Sequence, residues 1–76
     1  MTKENNGWIS VKDRLPPYET AVFGLCVVLE MELILIVSRE EADGEWYFSP
    51  VTSNGVDYEN TVEVTHWKPL PPIPTK

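Results

Sequence analysis

The chain has 76 residues, a formal charge of −6, a single cysteine (Cys26) and a single histidine (His66). So short a chain hides only about 60–65% of its surface on folding, and one cysteine excludes an intramolecular disulfide. One histidine with no ligand-spaced cluster argues against a metal core or cofactor, which leaves a partner chain as the expected stabiliser, so a homo-oligomer is expected.

The charge is unevenly spread. From Glu30 to Glu63 there are nine acids and one base, Arg39, whereas the remainder carries five bases and three acids. An acidic middle repels phosphates, so direct DNA or RNA binding is not expected. The apolar stretch Ala21 to Ser38 is interrupted by Glu30 and Glu32, which argues against a membrane span. The polar start has no apolar signal region, so a soluble, cytoplasmic protein is expected.

In chain order, residues 1–7 read as a polar tail, residues 8–74 as one small domain, and residues 75–76 as a second tail. Ile9 to Val11 suits a short strand, ended by Leu15-Pro16-Pro17 because proline lacks the backbone donor. Thr20 to Leu29 reads as a buried strand, with Cys26 as a small hydrophobe inside it. Glu32 to Ser38 reads as another; its β-branched residues disfavour helix, and a helix over Leu25 to Val37 is the competing reading. Leu33, Leu35 and Val37 share one strand face, and Ile34 and Ile36 the other. With both faces apolar, a second subunit is a candidate cover.

The turn at Glu30-Met31 has neither the glycine nor the asparagine that a two-residue hairpin favours. It is therefore either wider, or part of one long bent strand. Asp43-Gly44 is the clearest hairpin signal. Glu45 to Ser49 returns as a strand, with Trp46 and Phe48 on one face, Tyr47 on the other and Pro50 as its stop. Val51 to Asn60 reads as a loop with a Ser53-Asn54-Gly55 turn. Thr61 to Trp67 is the last strand, its alternation placing Val62, Val64 and His66 opposite Glu63, Thr65 and Trp67. Pro69, Pro71, Pro72 and Pro74 impose an extended exit. The expected fold is mainly β (or small α+β): a compact antiparallel meander of about four strands with a proline-rich C-terminal exit.

Two motifs frame the domain: W-I-S-V-K-D-R-L-P (Trp8 to Pro16) and V-T-H-W-K-P-L-P (Val64 to Pro71). In these residues the chain resembles a family of short phage and prophage proteins known as domain of unknown function 551. The resemblance runs from Trp8 to about Pro74 and is most specific at the two ends. Similar members often carry a Gly- or Asp-bearing turn between the first long strands, where this chain has Leu29-Glu30-Met31. The resemblance implies a small β-rich domain carried by phages or prophages, with no assigned activity. Small phage proteins of this kind often bind a host component, which makes interference with a host defence or regulatory process the expected role.

No residue pattern demands catalysis. His66, Ser10 and Asp13 are the residue types of a hydrolase triad, but no nucleophile elbow or oxyanion loop accompanies them. Glu40 and Glu41 are adjacent, so in a strand they point to opposite faces, which is wrong for paired-carboxylate chemistry. The four glycines are scattered and form no phosphate loop. A non-enzymatic protein is expected.

The framing motifs have a structural role to fill: Trp8 and Trp67 can pack the chain ends, and Asp13 and Arg14 can fix the turn before Pro16. If the two motifs lie side by side, Trp8, Lys12, Arg14, His66, Trp67 and Lys68, with Tyr47, form a candidate ligand site. Cations beside aromatic faces hold a nucleobase by stacking and a phosphate by charge. Two copies could close such a pocket around a small nucleotide-like ligand. The competing site is an acidic protein-binding edge, Glu40, Glu41, Asp43 and Glu45 with Trp46, suited to a basic host protein or to nucleic-acid mimicry. A structural accessory subunit pairing through an exposed edge strand is the third reading.

Overall fold

A computed structural model describes residues 7–71. Six strands form one antiparallel sheet: β1 (Ile9–Ser10), β2 (Ala21–Val28), β3 (Met31–Ala42), β4 (Glu45–Thr52), β5 (Gly55–Val56) and β6 (Glu63–Pro69). Their lateral order is β1-β6-β2-β3-β4-β5. The mainly β expectation is met, with two-residue strands β1 and β5 raising the count above about four. No helix forms over Leu25 to Val37, where β2 and β3 pair instead. Among the described residues no helix is long and apolar enough to cross a membrane. Met1 to Asn6, Pro72 and Pro74, expected as a tail and part of an extended exit, lie outside the described residues.

From β2 to β5 the chain is a meander, and β6 then returns to lie between β1 and β2. One face of the sheet carries the core: Val22, Cys26, Val37, Phe48, Val64 and Trp67, all buried. Val22 faces Val37 across the β2–β3 pair, and Cys26 faces Val64 across β2–β6. Val62 donates its backbone N–H to the Phe48 carbonyl at 3.0 Å. That bond ties the edge of β4 away from β3 to the residue leading into β6, so the sheet curls around this inner face. Gly24 makes the curl possible. A Cβ there would stand 2.8 Å from Val37 Cγ2, closer than packed carbons allow.

Four local expectations are corrected. The β2–β3 turn is neither wide nor a bend in one long strand. Val28 pairs with Met31, leaving Leu29 (φ 52°) and Glu30 (φ 65°) as a two-residue turn with both torsions left-handed. Asp43 (φ 55°) and Gly44 (φ 81°) adopt the same geometry as expected, with residue types that favour it.

The strand expected to end at Ser38 continues to Ala42, because Arg39, Glu40 and Glu41 pair with Phe48, Tyr47 and Trp46. Pro50 does not stop β4. Its carbonyl accepts from Asp57 N at 2.9 Å on the edge away from β3. A strand residue directs N–H and C=O to the same side, so the missing donor also faces that outer edge, where proline is tolerated.

The alternation expected through the last strand is broken by a bulge. Cys26 pairs with Val64 but Leu25 pairs with His66, leaving Thr65 as the extra residue. Its hydroxyl donates to the Leu25 carbonyl at 3.4 Å. Val64 and Trp67 consequently share the inner face, and His66 moves to the outer one. The expected grouping of His66 with Val62 and Val64 is overturned.

Candidate functional site

The two framing motifs do meet. Ile9 pairs with Trp67 and Ser10 with His66, and Val11 N donates to the Thr65 carbonyl at 3.1 Å. Ser10 then organises the following turn. Its carbonyl accepts from Asp13 N at 3.0 Å and Arg14 N at 3.1 Å, and its Oγ accepts from Lys12 N at 3.1 Å. The Asp13 and Arg14 main chain, rather than their side chains, makes these bonds.

Strand alternation sorts the candidate ligand residues onto opposite faces. Trp67 lies inward and only 5% exposed. Its Nε1 donates to the Arg14 carbonyl at 2.8 Å, and the Arg14 guanidinium sits 5.9 Å from its ring centroid. Outward lie Trp8, Ser10, His66 and Lys68, with Lys68 Nζ 5.7 Å from the Trp8 ring centroid. His66 Nδ1 lies 3.0 Å from Thr65 Oγ1. Below this row is a depression of about 360 Å³ lined by Ser10, Val11, Lys12, Glu63, Val64, Thr65 and His66. Lys12 and His66 therefore share a concavity, and Trp8 and Lys68 stand on the same outer face. Trp67 is drawn to the core side, and Arg14, itself exposed, is tied to it through its carbonyl. Tyr47 is on β4, separated from β6 by β2 and β3, so the single chain does not bring it to this site.

Ser10 and His66 are register partners, yet Ser10 Oγ serves Lys12 N and the contact of His66 is with Thr65. No nucleophile–base hydrogen bond joins them among the described residues.

The acidic edge is also redistributed. Glu41, Asp43 and Glu45 are exposed around the β3–β4 turn, and Trp46, opposite Glu41, is 44% exposed. Glu40 is not part of that exposed edge: it is 6% exposed and accepts from Ser38 Oγ at 2.6 Å. A buried carboxylate needs such a donor.

Sequence reasoning passed over Arg39, although it is the lone base among the nine acids of the middle. Arg39 Nη1 donates to the Pro16 carbonyl at 3.0 Å and Nη2 to the Tyr18 hydroxyl at 3.1 Å. Its guanidinium lies 3.9 Å from the Tyr18 ring centroid and 5.3 Å from that of Trp46. It thus clamps the segment entering β2 onto β3, where Glu19 N also donates to the Arg39 carbonyl at 2.8 Å.

The model of one protein family, described as a protein of unknown function (DUF551), matches residues 7–75. No curated protein and no solved structure matches the chain.

Proposed function

The chain belongs to the DUF551 family, and from that premise we propose a non-enzymatic binding protein that sequesters a small nucleotide-like anion. The observation that carries the reading is the shared outward presentation of Trp8, His66 and Lys68 beside the depression that Lys12 borders. The Trp8 ring offers a stacking face, and Lys68 and Lys12 offer charge for phosphate. Glu63 on the depression wall disfavours a second phosphate cluster there, which suits a ligand of low charge. In a phage or prophage setting, holding such a signal in the bacterial cytoplasm would interfere with a host defence or regulatory process.

A second reading is supported by the exposed Trp46 beside Glu41, Asp43 and Glu45. That hairpin tip has an aromatic anchor and steering acids for a basic host protein.

Calorimetric titration with adenosine monophosphate, adenosine diphosphate and inorganic phosphate tests the first reading. Saturable nucleotide binding is expected, weakened about tenfold or more in both Trp8→Ala and Lys68→Ala while the far-UV spectrum is kept. Glu41→Lys combined with Asp43→Lys should leave it intact. Absence of nucleotide binding, or binding indifferent to Trp8 and Lys68, sinks this reading.

A further inference from the structure

On the outer face of the β2–β3 pair, among the described residues, two apolar side chains, Ile34 and Ile36, are exposed and three more, Phe23, Leu25 and Val27, are half-buried. Register places Phe23 beside Ile36 and Leu25 beside Ile34, with Val27 next along β2. Ile34 is 59% exposed and Ile36 39%. The two rows continue onto β6 as Lys68 beside Phe23 and His66 beside Leu25. At the turn end the row is acidic, since Val27 lies between Glu32 and Glu63. The face is thus an apolar centre with Lys68 at one corner, on β6, and the carboxylates of Glu32 and Glu63 at the turn end, Glu32 being diagonally across from Lys68.

Two more features bear on the same face. Leu29 at its tip is 86% exposed and sits at φ 52°, a conformation that costs an L residue about 1–2 kcal/mol. An isolated chain gains nothing from an apolar side chain held out in that way. Among the described residues the buried apolar core is small, and small domains depend on further burial.

We propose that this face is the interface of a two-fold symmetric homodimer. The outer faces of β2 and β3 from two copies stack, burying Phe23, Leu25, Val27, Ile34 and Ile36 of each. An isologous arrangement repeats every contact, so the Lys68 flank of one copy meets Glu32 of its mate, twice. Charge of opposite sign at diagonally opposite corners of one apolar patch selects a second copy over an unrelated apolar surface. Trp8 and Lys12, lateral to β6, stay at the open rim. The interface takes Lys68, which the ligand reading also uses, but mass and the Glu32 variant, which lies outside the ligand site, read this inference separately.

Sedimentation velocity and native mass spectrometry on the full chain provide the test. Wild type is expected at twice the 8.7 kDa chain mass at micromolar concentration. Ile34→Lys, whose side chain already faces solvent in the single chain, is expected to run as a folded monomer. If that variant fails to fold, the charge pair decides: Glu32→Lys should weaken association about tenfold or more, and adding Lys68→Glu should restore it. A wild-type monomer at high micromolar concentration overturns the proposal. So does a dimer that persists in Ile34→Lys, or a charge swap without rescue.

Discussion

The Trp67 indole N–H donates to the main-chain carbonyl of Arg14 at 2.8 Å, so the last strand locks the turn that follows the first. The tryptophan also fills the core, with Gly24 opposite it on β2. Both terminal motifs are therefore structural in these two residues, whatever their outward neighbours bind.

Truncating this anchor should be severe. Trp67→Ala is expected to cost about 3–5 kcal/mol, close to the whole stability of so small a domain. Trp67→Phe keeps most of the volume but leaves the carbonyl without its donor, for a loss of about 1–3 kcal/mol. Arg14→Ala keeps the accepting carbonyl and loses only the guanidinium contact, about 0.5–1 kcal/mol. Urea denaturation midpoints rank the three. An Arg14→Ala loss as large as that of Trp67→Ala would show that the guanidinium, and not the carbonyl, holds the turn.

The β2–β3 turn invites the opposite experiment. Leu29 and Glu30 both occupy left-handed torsions that Asn-Gly adopts readily. Replacing the pair by Leu29→Asn and Glu30→Gly should stabilise the monomer fold by about 1–2 kcal/mol. For a domain of this size that raises the melting temperature by roughly 4–8 °C per kcal/mol. A melt at low concentration checks it; a lowered midpoint there would mean that Leu29 makes a contact worth more than its strain.

Gly24 is constrained by space rather than torsion. Gly24→Ala drives a methyl to 2.8 Å from Val37 Cγ2, and Val37 is fully buried between two strands. Overpacking of this kind costs about 1–3 kcal/mol. Ala introduced at exposed Gly55, where nothing lies within 4 Å, is a poor control because its φ of 107° brings strain of its own. A Gly24→Ala, Val37→Ala double variant is the informative partner. Recovery of stability relative to Val37→Ala alone confirms the clash.

Burial pushes the Cys26 thiol above its ordinary value, only partly offset by a backbone hydrogen bond from Leu35. The folded chain therefore keeps this proton at a pH where the unfolded chain has released it. Its contribution to stability is complete below the unfolded thiol value of about 8.5. Above that it is lost progressively until the pH passes the raised folded value. Denaturation midpoints should fall above about pH 8.5 in wild type and fall less steeply in Cys26→Ala. Dithionitrobenzoate should label the thiol in denaturant and spare it in the native protein. Rapid labelling of the folded chain would contradict the burial.

Much of the fold is legible along the chain because it rests on short-range chemistry. The valines and isoleucines around β2 and β3 disfavour a helix, Asp43-Gly44 makes its own turn, and the unbroken apolar run Leu33, Ile34, Leu35 and Ile36 declares two apolar faces. The candidate site is half legible. The framing motifs, whose adjacency the sequence offers only as a condition, are neighbours, but Trp67 faces inward while Trp8, His66 and Lys68 lie on the outer face.

Strand content and the Asp43-Gly44 reversal follow from residue type, and need nothing beyond the order of residues. The rest depends on the assembled sheet. The Thr65 bulge turns His66 outward because Leu25 and Cys26 on the neighbouring strand fix the register. Pro50 survives within β4 because its missing donor faces the edge that β3 does not use. Glu40 is buried where β4 pairs alongside with Tyr47 opposite it, and Ser38 supplies the hydrogen bond it needs there. Each outcome depends on which strand lies alongside, and a neighbour in space leaves no mark on the local sequence.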